Sequence, residues 1–564
     1  MGVGLVLWLG ATAVLLAGAR SSAQAGLTEL EAIRAGASTA SLLSGEETAG
    51  LRRADGHFDE ARSALRSLPV SPLRALPVVG RQLRSADALS QAAGEVADAG
   101  GDALDEAVAL VEGGAGAGPE RAVLIRELAE VAERAEVRVA AVDLGPGDAL
   151  VGLLAEARAE AVETVEQLEA SLGRARVATA GLAELFEGDS TLLLLLGNNA
   201  EMRAGSGMFL TVGTLTISDG RLSLGEIVPT FDFQLSEGVP IDGDLAERWG
   251  WLEPGREWRN LGVTPRFDVT APLASRMWAQ AKGQTVDGVL AVDVLGLQAL
   301  LAATGPVEVE DQTIDADTVV QDLLHDQYVG LGGQDQVAQL ERRSRLGGVA
   351  RAAVEALERP EIDLARLAEE LAGAARGRHL LAWSPEPAVQ RGWDAMSLDG
   401  TVGPDDVMVS VLNRGGNKLD PYLEVVGDIV VDPGPGTTTV SIEMILENTV
   451  GADEPLYILG PSPPLEVATG TYVGLVAATL PGRAAGGRFD GYDSLAVAGA
   501  DGPTRVVAVP VEVPRGERRV VTLRFELPPG PRSIEVLPSA RVPSISWRWQ
   551  DRAWEDDHAE TLGW

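Results

Sequence analysis

The chain has 564 residues, of which 45% are hydrophobic and 4% aromatic, and its formal net charge is −37. That length and apolar content support several packed domains. So acidic a chain disfavours nucleic acid and anionic lipid head groups, which are bound through Lys and Arg. Cysteine is absent, which excludes disulfides, thiolate nucleophiles, zinc-thiolate sites and iron–sulfur clusters.

Residues 2–19 carry no charge, and the first charged side chain after them is Arg20. As a helix this run spans about 27 Å, close to the hydrocarbon core of a bilayer. It reads as an uncleaved transmembrane anchor over residues 1–20. The rival reading is a cleavable signal peptide, because Ala23-Gln24-Ala25 fits a small-x-small cleavage site. No Lys or Arg precedes the run, so charge does not give the orientation.

Residues 21–188 read as an α-helical stalk. Leu124, Leu128, Val131, Ala135, Val139 and Val142 recur at gaps of three and four, and so do Leu154, Ala157, Ala161, Val165, Leu168, Leu172 and Ala175. Pro69, Pro72 and Pro77 interrupt the helices, and residues 113–119 form a Gly/Ala linker. The character changes at Thr191. Residues 192–196 are an unbroken Leu run, as expected of a strand buried on both faces. Residues 208–217 predict a second strand, Ser218-Asp219-Gly220 a hairpin turn, and residues 221–228 the returning strand. Pro272 is expected to open a helix. Strands follow at 286–292 and 307–310 around a helix at 295–303. Asp315 or Asp317 can cap a helix running to about Tyr328. A helix at 342–357 and strands at 379–383 and 407–412 complete a mixed α/β domain over 189–420. From 421 to 564 the β-branched stretches 423–431, 437–446, 472–480, 505–513 and 519–527 alternate with Pro/Gly turns, as in an all-β sandwich followed by a Trp-rich tail.

Neither lysine, Lys282 or Lys418, follows a glycine, which excludes a P-loop, and the histidines His57, His325, His379 and His558 stand singly. His379 reads as a hydrogen-bonded core residue. Two loops concentrate amides with cations. In the first, Asn198, Asn199, Glu201, Arg203 and Ser206 lie among flexible glycines, and the loop amides with Arg203 could hold an anion or sugar-phosphate. A rigid turn, with Asn side chains bonding the backbone and Glu201 pairing Arg203, is the alternative. In the second, Asn413 and Lys418 are candidates on the same grounds, against a plain junction loop. Arg342, Arg343 and Arg345 open a helix, where solvation is the simpler reading.

The segments LLLLLGNNAEMRAGSGMFLTVGTLTISDGRL, TVDGVLAVDVLGLQALLAATGPVEV, HLLAWSPEPAVQ and VMVSVLNRGGNKLD resemble the domain-of-unknown-function 4012 (DUF4012) family of membrane-anchored bacterial proteins, found mostly in actinobacteria and related lineages. The family implies an N-terminal transmembrane helix, a helical stretch and this core, with no activity attached. VDGVLAVDVLGLQALLAATGPVEV is more distantly similar to the LytR-CpsA-Psr ligases, which move glycopolymers from polyprenyl-pyrophosphate carriers onto peptidoglycan. That similarity implies a related α/β fold and makes Arg342 and Arg345 candidate phosphate ligands. The chain has Pro229-Thr230-Phe231-Asp232 where those ligases carry an Arg-Asp pair, and Tyr328-Val329-Gly330 where they carry Tyr-x-Arg-x-Arg. Two functions follow as expectations. The first is an extracytoplasmic, membrane-tethered envelope protein that binds or scaffolds polysaccharide or partner proteins, with no cofactor. The alternative is a phosphotransferase on lipid-linked glycopolymer, which would use Mg²⁺.

Overall fold

The computed structural model describes residues 2–36, 38, 41–42, 44–114, 118–233, 235–330, 336–359, 362–462 and 464–564, with side chains for all of these except 2–7, 233, 330 and 336–344. The chain divides into two compact units. One comprises Met1–Glu184 with Asp363–Glu369, and the other Leu185–Ile362 with Glu370–Trp564.

The first unit is helical, as its periodicity predicts. It contains α1 (Gly2–Gly36), α2 (Thr48–Arg66), α3 (Val79–Glu112), α4 (Pro119–Ala140) and the greater part of α5 (Leu153–Glu187). On α4 the expected stripe is the buried one, through Leu124, Val131, Ala135 and Val139. On α5 the corresponding residues Leu154, Ala161, Val165, Leu168 and Leu172 are only half-buried, and Ala157 and Ala175 are exposed, so that stripe is not a buried seam. Arg52 on α2 and Arg138 on α4 both hold Asp98 and Asp102 on α3, at 2.7–3.0 Å. These exposed pairs contribute about 0–1 kcal/mol each. Among the described residues no helix is long and apolar enough to cross a membrane. The side chains of residues 1–7 of the expected anchor lie outside that description. The helix does not stop at Arg20 but continues to Gly36. Leu15, Leu16 and Ala19 pack against Leu65, Val70 and Leu83, and the Trp8 indole donates to the Pro69 carbonyl at 2.9 Å.

The second unit opens on a mixed sheet. Strand β1 (Ser190–Met202) pairs antiparallel with β2 (Gly207–Ser218), which carries β3 (Arg221–Leu224) and β4 (Val228–Pro229). The turn between β2 and β3 puts Asp219 and Gly220 at φ 48° and 71°, the left-handed pair that a tight hairpin needs. On its other side β1 runs parallel to β5 (Gly288–Val292). The Leu run is covered on both faces, with Leu194 and Leu196 entering one core and Leu193 and Leu195 the other. Helix α6 (Gly243–Trp249) precedes α7 (Phe267–Lys282), and Pro272 lies inside α7 instead of opening it. Position 272 falls in the second turn, so the bond that proline cannot donate is one the helix goes without.

Asp293 caps α8 (Val294–Thr304) by accepting from the amides of Leu295 and Gly296. A small ladder, β6 (Val307–Val309) with β7 (Gln312–Ile314), follows. Asp315 then accepts from the Thr318 amide at 2.9 Å, capping the helical turns that lead to Tyr328. Helices α9 (Gln336–Ala356) and α10 (Leu364–Arg376) precede β8 (Leu380–Trp383), which returns antiparallel onto β5.

The remaining strands form two further sheets. One has the order β13-β16-β11-β10-β18-β19 and the other β14-β15-β12-β9-β17-β20. Here β9 is Asp406–Asn413, β10 Leu423–Pro433, β11 Thr438–Asn448, β12 Tyr472–Pro481, β13 Ala485–Phe489 and β14 Val497–Asp501. β15 is Thr504–Val513, β16 Arg518–Leu527, β17 Ser533–Val536, β18 Ser546–Trp549, β19 Arg552–Glu555 and β20 Glu560–Gly563. Strand β9 precedes residue 421 yet pairs with β12 and β17. A single buried cluster runs from Leu194 and Leu297 through Val409 and Ile442 to Trp547. The α/β layer and the β-sandwich therefore share a core.

Candidate functional site

The two amide-and-cation loops, more than two hundred residues apart in sequence, meet in one buried network. Pairing of β1 with β2 lapses between Asn198 and Met202. This irregularity releases residues 199–201 from the ladder and lets them turn to other partners. The Asn198 amide donates to the Tyr328 hydroxyl at 2.8 Å, and its carbonyl accepts from the Ala200 amide at 2.9 Å. Asn199 donates to Asp293 at 2.7 Å and to the Ala540 carbonyl at 3.0 Å, and accepts from the Val294 amide.

Glu201 pairs with Lys418, and both are buried. The ammonium also lies 5.4 Å from the Tyr328 ring and 5.9 Å from Tyr457. Burial pulls the Lys418 ammonium down, but the Glu201 carboxylate beside it outweighs burial and its net shift is upward. Thus the partner of Glu201 is Lys418, and Arg203 turns elsewhere. The Arg203 guanidinium donates to the carbonyls of Arg259 (2.9 Å), Met202 (3.0 Å) and Asn413 (2.8 Å), and to the Asn260 side chain at 3.3 Å. Burial pulls it down to about 10, which leaves it charged at neutral pH.

The loop amides are occupied as well. Met202 donates to Asp420, Arg203 to the Ser206 carbonyl, and Ala204 and Gly205 to the Gly262 carbonyl. Ser206 donates to the Gly207 carbonyl at 3.0 Å. A Cβ at Gly207 would lie 2.6 Å from the Asn198 backbone, so only glycine fits the return.

Asp420, which closes the second loop but was not among the candidate ligands, is the hub. It accepts from the Met202 amide (3.0 Å), Asn413 (2.8 Å), the Tyr472 hydroxyl (3.1 Å) and Arg541 (2.7 Å). Neither Asp420 nor Arg541 is more than 1% exposed. Burial, then the Asp420 charge, pushes the Tyr472 hydroxyl well above its usual value.

Arg345 stands apart from this network. It grips Asp322 through two bonds of 2.8 and 2.7 Å and reaches Gln312. The side chain of Arg342 lies outside the described residues. Among the described residues no group of three or more His, Asp or Glu side chains is placed to hold a metal ion.

One open cleft of about 660 Å³ lies between α8 and the end of α10. His379 lines it and is tied at Nδ1 to Asp293 at 2.7 Å. The core reading of His379 accounts for its burial, with 7% exposed, but not for the ring edge that reaches the cleft. The local signal was Asp293, a carboxylate between a predicted strand and a predicted helix.

Residues 187–328 match the family model described as "Protein of unknown function (DUF4012)". The chain resembles that family over β1 to Tyr328, a segment that includes the first loop and Asp293 but not Asp420, Lys418 or His379. No curated protein and no solved structure matches the chain.

Proposed function

We propose that the chain is a membrane-anchored extracytoplasmic protein of the cell envelope, whose second unit binds or scaffolds envelope polysaccharide or partner proteins. One observation carries the preference for binding over phosphotransfer. Each described cation that the sequence flagged in the two loops or on α9 is already committed to protein acceptors: Arg203 to carbonyls, Lys418 to Glu201, Arg345 to Asp322. A pyrophosphate ligand would have to break these bonds in the interior, where an abandoned partner is expensive. The anchor rests on the uncharged run 2–19 and on the family resemblance, with Leu9 and Val14 exposed at 52% and 72%.

A thermal-shift series with a polyprenyl-pyrophosphate analogue and Mg²⁺ tests the preference. Wild type is expected to show no stabilisation, and Arg203→Ala to melt lower by the equivalent of about 1.5–3 kcal/mol, since several backbone acceptors lose a charged donor. Stabilisation of wild type that disappears in an equally stable Arg203→Ala protein would return the phosphotransferase reading. Full-length chain is expected in the membrane fraction and retained on isolated cell-wall polysaccharide. Recovery in the soluble fraction with an intact N-terminus removes the anchor.

A further inference from the structure

The cleft beside α8 has features that the polar network lacks. Its floor is built of small apolar residues, with Ala299 and Ala302 on one face of α8 and Gly373 and Ala374 on α10. Its rim carries both signs of charge in Asp317, Glu370 and Arg376, with the His558 imidazole beside them. His379 enters from the wall with its side chain 8% exposed. The Asp293 carboxylate is filled by donors. The Leu295 and Gly296 amides sit on Oδ1 at 3.0 and 3.1 Å, and Asn199 and His379 on Oδ2 at 2.7 Å each. A carboxylate holding four donors accepts only, so the neutral imidazole carries its proton on Nδ1 and presents Nε2 as an acceptor. No described residue bonds Nε2. A Cβ on Gly377, itself on the cleft wall, would stand 3.1 Å from it, which places Nε2 at the cleft surface.

We infer that this cleft binds a neutral hydroxyl-bearing ring, a single saccharide unit or cyclic polyol, which donates a hydroxyl proton to His379 Nε2. The ring lays its C–H face on Ala299, Ala302 and Ala374. Acceptors and cations around the rim suit a ligand with hydroxyls on several edges. The net charge of −37 on the chain disfavours an anionic one. The orienting role of Asp293 is to fix the tautomer, which makes it a positioning residue. The inference rests on the polysaccharide-binding reading above and names its site.

With only four histidines in the chain, imidazole ¹⁵N spectra of the full-length protein can be assigned by substitution. Glucose, galactose, arabinose and N-acetylglucosamine are the probes, with glucuronate and glucose 6-phosphate beside them. At least one neutral sugar is expected to shift His379 Nε2 while Nδ1 stays in place. In His379→Asn the amide nitrogen replaces Nδ1 against Asp293, so melting should be retained while affinity for that sugar falls at least about tenfold. Gly373→Leu is the second variant. Its added Cβ meets only Arg376 Nη2, at 3.8 Å, so the backbone accepts the larger side chain, which occupies the cleft and should also abolish binding.

If no neutral sugar moves Nε2, if only the anionic probes do, or if affinity survives both substitutions, the inference is overturned. Retention on whole cell-wall polysaccharide that is unchanged in both variants would overturn the cleft alone and leave the binding reading standing.

Discussion

Asp420→Ala is expected to destabilise the second unit by about 3–5 kcal/mol, the range for removing one partner of a buried ion pair. The carboxylate is 0% exposed and meets four donors: Arg541, Tyr472, Asn413 and the Met202 amide. Truncation leaves the Arg541 guanidinium, 1% exposed, with only the carbonyls of Asp420 and Leu423. It also strands the Met202 amide at the end of β1. Asp420→Asn should fare little better. One of its two terminal atoms becomes an NH₂ group facing donors, and the charge opposite Arg541 is gone. Denaturant unfolding followed by tryptophan fluorescence reads this unit almost alone, because ten of the eleven tryptophans follow residue 184 and only Trp8 precedes it. Both variants should show a lower midpoint. A loss below about 1 kcal/mol in both would mean that water or relaxation satisfies these groups and that Asp420 is not the hub of the junction.

The character of each segment was legible locally, because hydrophobic period and turn chemistry act over a few residues. The all-Leu run, the Asp219-Gly220 hairpin, the Asp315 cap and the β-rich second half follow from such signals, and the structure places them accordingly. Two things were not legible, because packing in the folded unit decides them. Pro272 looks like a helix opener, but Phe267 and Ala271 bury on the same helix and draw its start back to residue 267. The residues 407–412 read as the last strand of the α/β layer. Their hydrogen-bonding partners, Leu475 and Val476 among them, lie more than sixty residues on in the sandwich.

The site shows the same limit. Composition singled out Asn198, Arg203, Asn413 and Lys418 as unusual polar residues, and the fold does bring them together. What each one bonds is set by the fold: Tyr328 for Asn198, Asn260 and backbone carbonyls for Arg203, Asp420 for Asn413 and Glu201 for Lys418. His379 and Asp293, 86 positions apart, carry no shared motif, and only the packing of β8 beside β5 and the start of α8 makes them a pair.

The Lys418–Glu201 pair decides whether the junction is held by charge or by shape. Lys418→Met keeps an unbranched chain beside the stacked rings of Tyr328 and Tyr457 but leaves the Glu201 carboxylate buried without its cation. A loss of about 3–5 kcal/mol is expected. Glu201→Gln alone strands the ammonium and should cost a similar amount. Combining the two removes both charges, and the double variant is expected to be more stable than the sum of the single losses by at least about 1 kcal/mol, the coupling of groups in direct contact. Proton linkage gives a second readout. The ammonium of Lys418 is shifted upward in the folded protein, against about 10.4 for a free lysine. A raised folded value means that stability from this group is fully present below the unfolded value and is lost as pH rises through the folded one. Wild type should therefore lose stability in alkali above about pH 10.4 more steeply than the double variant, with the two profiles parallel at neutral pH. Additive single losses, together with identical alkaline profiles, would show that the two side chains act independently and that the loops are joined by Arg203 and Asp420 without them.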